Sequence, residues 1–377
     1  MTAAGYACKG VPLCASVNDL DIGEPGLTML NDLAGGRQTP AQLMVDSRRQ
    51  FLYWIENDLS PGEKREYEVL SDTSVPSSCV ELADVENERI EFRIEGALFT
   101  GYCYGGGIPR PFLYPVIGPG GKNVTREYPM VKDIPGETSD HPHHRSIWVA
   151  FGDVNGTDNW SEAEGHASIR QRQFLERSSG PVFGRIKAVN DWLDNRGKKV
   201  MEEERTVTVY NLPASGRFID LSVLFRATEG DVKFGDTKEG GIVAVRVATS
   251  MDGDKGGFIS NSFGGATEQE TWGKRAHWCD YSGTVDGRMM GITIFDHPDN
   301  FRHPTYWHVR DYGLMTANPF ALSAYKGDSS CDGSHVVRSG ESFAFTYRVY
   351  IHDGDVAAGD VAERYQGFVN PPKVEVR

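Results

Sequence analysis

Short runs of β-branched and aromatic residues alternate with glycine- and proline-rich breaks along most of the chain, the pattern of strands joined by turns. The clearest runs are 50–55 (QFLYWI), 89–100 (RIEFRIEGALFT), 204–210 (ERTVTVY), 217–225 (RFIDLSVLF), 241–248 (GIVAVRVA), 291–295 (GITIF) and 343–351 (FAFTYRVYI). In ERTVTVY and FAFTYRVYI the period-two alternation of a strand with one covered face is plain. Helical periodicity is confined to 39–46 and 356–368. Breaks at this spacing predict an all-β fold, a large antiparallel β-sandwich, rather than strands alternating with helices. An echo between LSPGE (59–63), ahead of a strand with Tyr67, and RSGE (338–341), ahead of one with Tyr347, reads as a turn feeding the last long strand of a sandwich. With the polar stretch 71–78 (SDTSVPSS) as linker, this gives a small β-unit over 1–88 and a large sandwich over 89–377, with one continuous sandwich as the alternative.

The 377 residues are enough for one large all-β domain with a smaller partner. No apolar run reaches the eighteen residues of a membrane span. The N-terminus lacks the basic and apolar regions of a signal peptide, so a cytoplasmic location is expected and the sequons at Asn123, Asn155 and Asn159 read as chance. Six cysteines without a CxxC pair point to reduced thiols rather than a zinc knuckle or disulfide scaffold. A formal charge of −14 excludes a basic nucleic-acid footprint.

Candidate chemistry concentrates in two histidine-rich segments. DHPHHR (140–145) holds His141, His143, His144 and Arg145; FDHPDNFRHPTYWHVRDYG (295–313) holds His297, His303, His308 and Arg310. Imidazoles titrate near neutrality and bind metals, and proline-bounded loops carry sites, so the two segments predict one site assembled from distant loops. Single histidines such as His166, His335 and His352 read as surface or packing residues. Pro142 favours an extended His141, which would place His141 and His143 on one side and His144 on the other. The run 146–151 reads as a strand entering the core, which sets the cluster at a strand mouth.

The charged turn FGDTKEGG (234–241) offers Asp236, Lys238 and Glu239, either as a solvated hairpin tip or as a base with a neighbouring ammonium. TWGKRAHWCDYSG (271–283) offers Trp272, Lys274 and Asp280, and Trp160 follows the loop GDVNGTDN. Tryptophans beside charges suit a sugar, although both tryptophans of 271–283 also fit a core. Asn318 completes the second histidine segment.

Several phrases together resemble a bacterial family of methane oxygenase PmoA-like proteins: RPFLYPVIGPGG from Arg110, DHPHHRSIWVAFGDVNG from Asp140, FGDTKEGG from Phe234, TWGKRAHWCDYSG from Thr271, and FDHPDNFRHPTYWHVRDYGLMTANPF from Phe295. The name belongs to a membrane-embedded copper subunit, and with no transmembrane helix methane oxidation is set aside. His141 and Arg145 have the spacing of a loop in aldose mutarotases and hexose-phosphate epimerases, and that resemblance implies a galactose-mutarotase-like supersandwich with an open sugar cleft.

The expectation is therefore a carbohydrate-active enzyme, a sugar isomerase or epimerase or a lyase or hydratase, acting on a sugar or keto-sugar by proton transfer. His144, His308 or Glu239 would move the proton while Arg145 and Lys274 stabilise negative charge. His141, His143, Trp160, Asp236, Lys238, Trp272, Asp280, His303, Arg310 and Asn318 would bind substrate. No acidic pair stands out for hydrolysis. Zinc or manganese held by imidazoles and a carboxylate is an alternative to a metal-free site. Partners are a small-molecule carbohydrate, with neither nucleic acid nor membrane; a non-catalytic carbohydrate-binding protein and a metal-dependent oxygenase are the competing classes.

Overall fold

The computed structural model describes residues 1, 5–18, 26–70 and 79–377. Two eight-stranded antiparallel sheets stack face to face and form a large sandwich. The first (sheet II) runs, in spatial order, Trp307–Arg310, Leu314–Ala317, Gly240–Arg246, Ile147–Phe151, Phe112–Val116, Ala97–Cys103, Arg89–Ile94, Val80–Val85. The second (sheet III) runs Ser168–Ser178, Phe183–Leu193, Lys199–Tyr210, Gly216–Arg226, Ser342–Asp353, Arg288–Asp296, Trp278–Val285, Phe258–Asn261. Between them lies one core that includes Phe92, Phe99, Trp192, Phe225, Trp307 and Phe345. Burial of this apolar surface is the main drive to assemble the sandwich. The alternation of ERTVTVY points Val207 and Val209 into that core, and the same inward row continues to the buried ion pair of Arg205 with Glu203.

A five-stranded sheet (sheet I) occupies the N-terminal part, in the order Val11–Ser16, Arg49–Glu56, Gln38–Asp46, Gly26–Asp32, Tyr67–Leu70. One face has its own core of Leu13, Leu30, Leu43, Leu52 and Trp54. Tyr53 and Ile55 meet the outer side of sheet III beside the C-terminal helix Val361–Val369, and the Tyr53 ring stands edge-on to Phe183 at 5.1 Å. The polar stretch 71–78 lies outside the described residues.

Three local expectations change. Residues 39–46 are strand, not helix, because Ser47 and Arg48 at φ of 50° and 71° form a two-residue reversal that pairs Asp46 with Arg49. That local hairpin overrides a weak helical pattern. The run 89–100 is a hairpin rather than one strand: Glu95 and Gly96 turn at φ of 53° and 75° and pair Ile94 with Ala97. The two tyrosines of the echo stand in unlike strands, Tyr67 in a four-residue edge strand and Tyr347 in a twelve-residue central one. Gly96→Ala is expected to destabilise by about 1 kcal/mol, since alanine at positive φ is strained; urea unfolding should show a lower midpoint with an unchanged m-value.

Among the described residues no helix is long and apolar enough to cross a membrane, and the six cysteines are unpaired thiols.

Candidate functional site

The outer face of sheet II gathers many of the candidate residues. Cross-strand register places Phe112, Trp148, Ala244, Thr316 and His308 in one row across five strands. Paired residues share a face, and strands lie ~4.8 Å apart, so Trp148 and His308 are about 14 Å apart along that row. Phe112, Trp148, Trp160, Ala244 and Leu314 form a small apolar floor, with Tyr312 packed against it.

The histidine turn sits on this floor. Its backbone is not extended: His141 has φ 42°, Pro142 and His143 form the corner, and His144 N–H donates to the His141 carbonyl at 2.9 Å. Proline suits the first corner position of such a turn. The fully buried Arg126 secures it, donating to the carbonyls of Asp140 and His141 at 2.8 Å each and of His144 at 3.3 Å. All three imidazoles are thereby gathered instead of divided between two faces. The His141 and His144 rings stack at 4.7 Å, and His143 stands edge-on to His144 at 4.4 Å.

Asp140 is the anionic centre of the turn, accepting from Arg126 at 2.5 Å, Arg246 at 2.9 Å and His141 at 3.2 Å. Burial pushes its pKa up, but His141, Arg246 and Arg126 outweigh burial and hold it well below the usual carboxylate range. Arg246, also fully buried, reaches His144 Nδ1 at 3.2 Å. A guanidinium only donates, so Nδ1 accepts and neutral His144 carries its proton on Nε2. Burial, then His143, Arg246 and His141, push the His144 pKa well down and keep the ring neutral. His144 stacks on Trp148 at 5.3 Å.

His308 has the opposite tautomer. Its Nδ1 is 2.7 Å from the Lys238 carbonyl, an acceptor, so the proton is on Nδ1 and Nε2 keeps a lone pair. Burial lowers its pKa to about 4. Burial also takes His143 down to about 4, with Arg110 adding to the effect.

Tyr312 joins the two segments. Its ring stacks on His141 at 4.9 Å and lies under the Arg246 guanidinium, also at 4.9 Å. Burial raises its pKa first, and the charges of Arg310, Arg246, Glu239 and Asp140 then bear on the hydroxyl. Groups from 140–145, 244–246 and 308–312 therefore lie on the outer face of sheet II.

Other residues singled out in the sequence fall into three groups. Around His308, Trp272 stands perpendicular to the imidazole at 6.4 Å, Arg310 pairs with Glu268 at 2.9 Å, and exposed Lys238 and Glu239 pair with one another at 2.7 Å. Lys274 is exposed on the segment that pairs through its backbone with Trp307.

A second group builds the walls. The Arg145 fork is taken up by Glu162 at 2.9 and 2.8 Å, so it braces the loop instead of presenting a free cation. Trp160 is 2% exposed and packs under His143 and His144, which makes it floor rather than an exposed sugar platform. Asp236 accepts from Ser323 N, Ser323 Oγ and Gly333 N, and Asn318 holds the Thr237 carbonyl at 3.0 Å. These contacts fix the 234–241 turn and engage both carboxylate oxygens of Asp236.

The third group is elsewhere. His303 bonds to buried Asp296 at 2.7 Å and His277 at 3.0 Å, beside the C-terminal helix. Asp280 is buried in sheet III with Ser282, Thr293 and His352. His166 meets the Ala167 carbonyl, and His335 packs on Phe301 and Phe343. Among the described residues no group of three His, Cys, Asp or Glu side chains is placed to hold a metal ion. The clustered imidazoles meet through ring faces and edges, which does not converge lone pairs on one point, so the residues do not fit zinc or manganese.

Sequence reasoning passed over Arg126, Arg246, Glu162 and Tyr312. Arg246 had a signal: it is the one charge in the otherwise apolar run GIVAVRVA, on the face opposite Val243 and Val245.

No curated protein matches the chain. Among solved structures, galactose 1-epimerase from Lactobacillus acidophilus NCFM matches with a TM-score of 0.31 at 9% identity, over 74% of this chain and 98% of that one. A family model covers residues 89–366, from the second strand of sheet II to the C-terminal helix, and the phrases resembling PmoA-like proteins all fall within this span. By that match the chain belongs to the family of unknown function DUF6807.

Proposed function

We propose that the protein is a carbohydrate-active enzyme that moves a proton on a sugar or keto-sugar bound over the outer face of sheet II. The observation that carries this reading is the pair of neutral histidines with opposite tautomers: His144, with Nδ1 engaged by Arg246, offers Nε2–H, and His308, with Nδ1 engaged by the Lys238 carbonyl, offers the Nε2 lone pair. One is a donor for an oxygen that gains charge, the other an acceptor for the departing proton. His308 Nε2 takes the proton from a carbon next to a carbonyl. The C–H electron pair moves to the carbonyl oxygen, which His144 Nε2–H stabilises with Arg246 behind it. Protonation of the opposite face by solvent, with the proton on His308 then released, gives epimerisation, and departure of a β-hydroxyl as water with the proton held on His308 gives elimination. The half-exposed faces of His141 and Tyr312 and the nearby Trp272 ring suit the C–H faces of a sugar. Relative to the sequence-based expectation, Arg246 takes the role given to Arg145. The site belongs to a cytoplasmic protein in this reading.

The test is proton NMR in deuterated water with a panel of aldoses, uronates and keto-sugars. Deuterium incorporation at one carbon, lost in His308→Asn with the thermal melt preserved, is the expected result. Saturable sugar binding without exchange would replace this reading with that of a carbohydrate-binding protein.

A further inference from the structure

Behind Arg246 lies an arrangement that the catalytic reading does not use. Arg246 spends its two terminal nitrogens on the site, on His144 and Asp140, but its Nε is buried and has no hydrogen-bond partner within the protein. Asp252, 2% exposed in the short turns 249–255, has the complementary deficiency: its Oδ1 is buried and unpartnered. An orphaned donor and an orphaned acceptor each cost stability unless something joins them.

Gly313 shows that the two atoms flank one gap. A β-carbon at this glycine would stand 2.4 Å from Asp252 Oδ1 and 3.4 Å from Arg246 Nε. The atoms are therefore separated by no more than the sum of those distances, and they are not in ion-pair contact within 4.0 Å: the side-chain anion paired with Arg246 is Asp140, and the cation beside Asp252 is Lys255. That interval excludes direct contact and matches the span of one water at roughly 2.8 Å from each atom. Any side chain at 313 would enter the gap, and the backbone there has φ 87°, which independently favours glycine.

We infer that Asp252 is a positioning residue for the histidine site, acting on Arg246 through one ordered water in the gap left by Gly313. With Asp140 on one edge of the guanidinium and Asp252 through water on the other, the plane of Arg246 is fixed, and with it the donor that makes His144 Nδ1 an acceptor. Burial, only partly countered by Arg246 and Lys255, raises the Asp252 pKa to about 6, while Asp254 and Asp140 push the same way. Asp311 and the Tyr281 hydroxyl also face this turn, both against Gly253. The Asp252 charge thus changes near neutrality, and the lock on Arg246 changes with it.

This inference rests on the His144–Arg246 pair as part of the site, and its test needs no substrate, so its failure is distinct from failure of the sugar reading. Nitrogen-15 NMR of the histidine side chains, with His144 assigned by His144→Gln, is followed from pH 5 to 8. The wild type is expected to show a step in the His144 Nδ1 shift near pH 6 without protonation of the ring. Asp252→Asn should lose that step while remaining folded, and Gly313→Ala, which fills the gap but keeps the carboxylate, should weaken it. His352 and His303, in other parts of the fold, should be unmoved in both variants. Overlapping His144 titrations in the wild type and folded Asp252→Asn would overturn the proposal. So would a step that survives unchanged in folded Gly313→Ala, because coupling would then not pass through the gap.

Discussion

Arg246→Met is expected to lower turnover of the active sugar about a hundredfold and to destabilise the protein by about 3–5 kcal/mol. The activity figure follows from removing a preorganised donor behind the developing negative charge, on the order of 3 kcal/mol in the barrier. The stability figure follows from breaking a buried ion pair. Asp140 would keep Arg126 and His141 but lose Arg246 at 2.9 Å, and methionine leaves His144 Nδ1 without its donor. Arg246→Lys separates the two effects. An ammonium restores a positive charge but cannot span His144 and Asp140 as the planar fork does. It should fold with a smaller loss in urea midpoint and still turn over slowly. Near-wild-type single-turnover rates in folded Arg246→Lys would remove Arg246 from the mechanism.

Acid is expected to destabilise the protein from about pH 6.5 downwards, above the range in which an ordinary carboxylate titrates. His143 and His308 have folded pKa values of about 4, and burial holds His144 well below its ordinary value, against an unfolded value near 6.5. The unfolded chain therefore binds protons first as the pH falls. The contribution of these neutral histidines is fully present above about pH 6.5 and is lost as the pH drops from there towards 4. For His308, 3% exposed, the gap amounts to about 3 kcal/mol, and the more exposed His143 contributes less. Asp252 works in the opposite direction. Its raised pKa makes the folded state bind a proton earlier than the unfolded chain, so its contribution grows as the pH falls through 6. Three histidines against one carboxylate leave a net acid lability. Urea unfolding at pH 7.5, 6 and 5 should show falling stability, and His308→Asn should shallow the slope by about 1.4 kcal/mol per pH unit where only the unfolded state is protonated. A slope identical to wild type would mean that His308 is protonated in the folded protein.

The sequence alone determined the class of fold and marked the histidine turn as a candidate site. Alternation in ERTVTVY and FAFTYRVYI reports the inward row of a strand, a local property, and both runs are core strands of sheet III, but their second row is also buried, at Tyr210 and Tyr350, under sheet I and the C-terminal helix. The density of imidazole in DHPHHR marked its turn for the same local reason. Tertiary structure decided which groups act together. Whether Arg145 or Arg246 is the cation behind His144 depends on a pairing across about 100 residues, because Glu162 claims the first and the register of Gly240–Arg246 delivers the second. The protonated nitrogen of His308 depends on the Lys238 carbonyl, 70 positions away in the chain. His303 and His308 read as one cluster in sequence, yet they diverge: the edge strand presents His308 on the outer face of sheet II, while buried Asp296 draws His303 towards sheet III. Composition and periodicity describe what a residue can do. Burial and long-range hydrogen bonds select which of those states it occupies, since a buried polar group must take the partner that the fold brings to it.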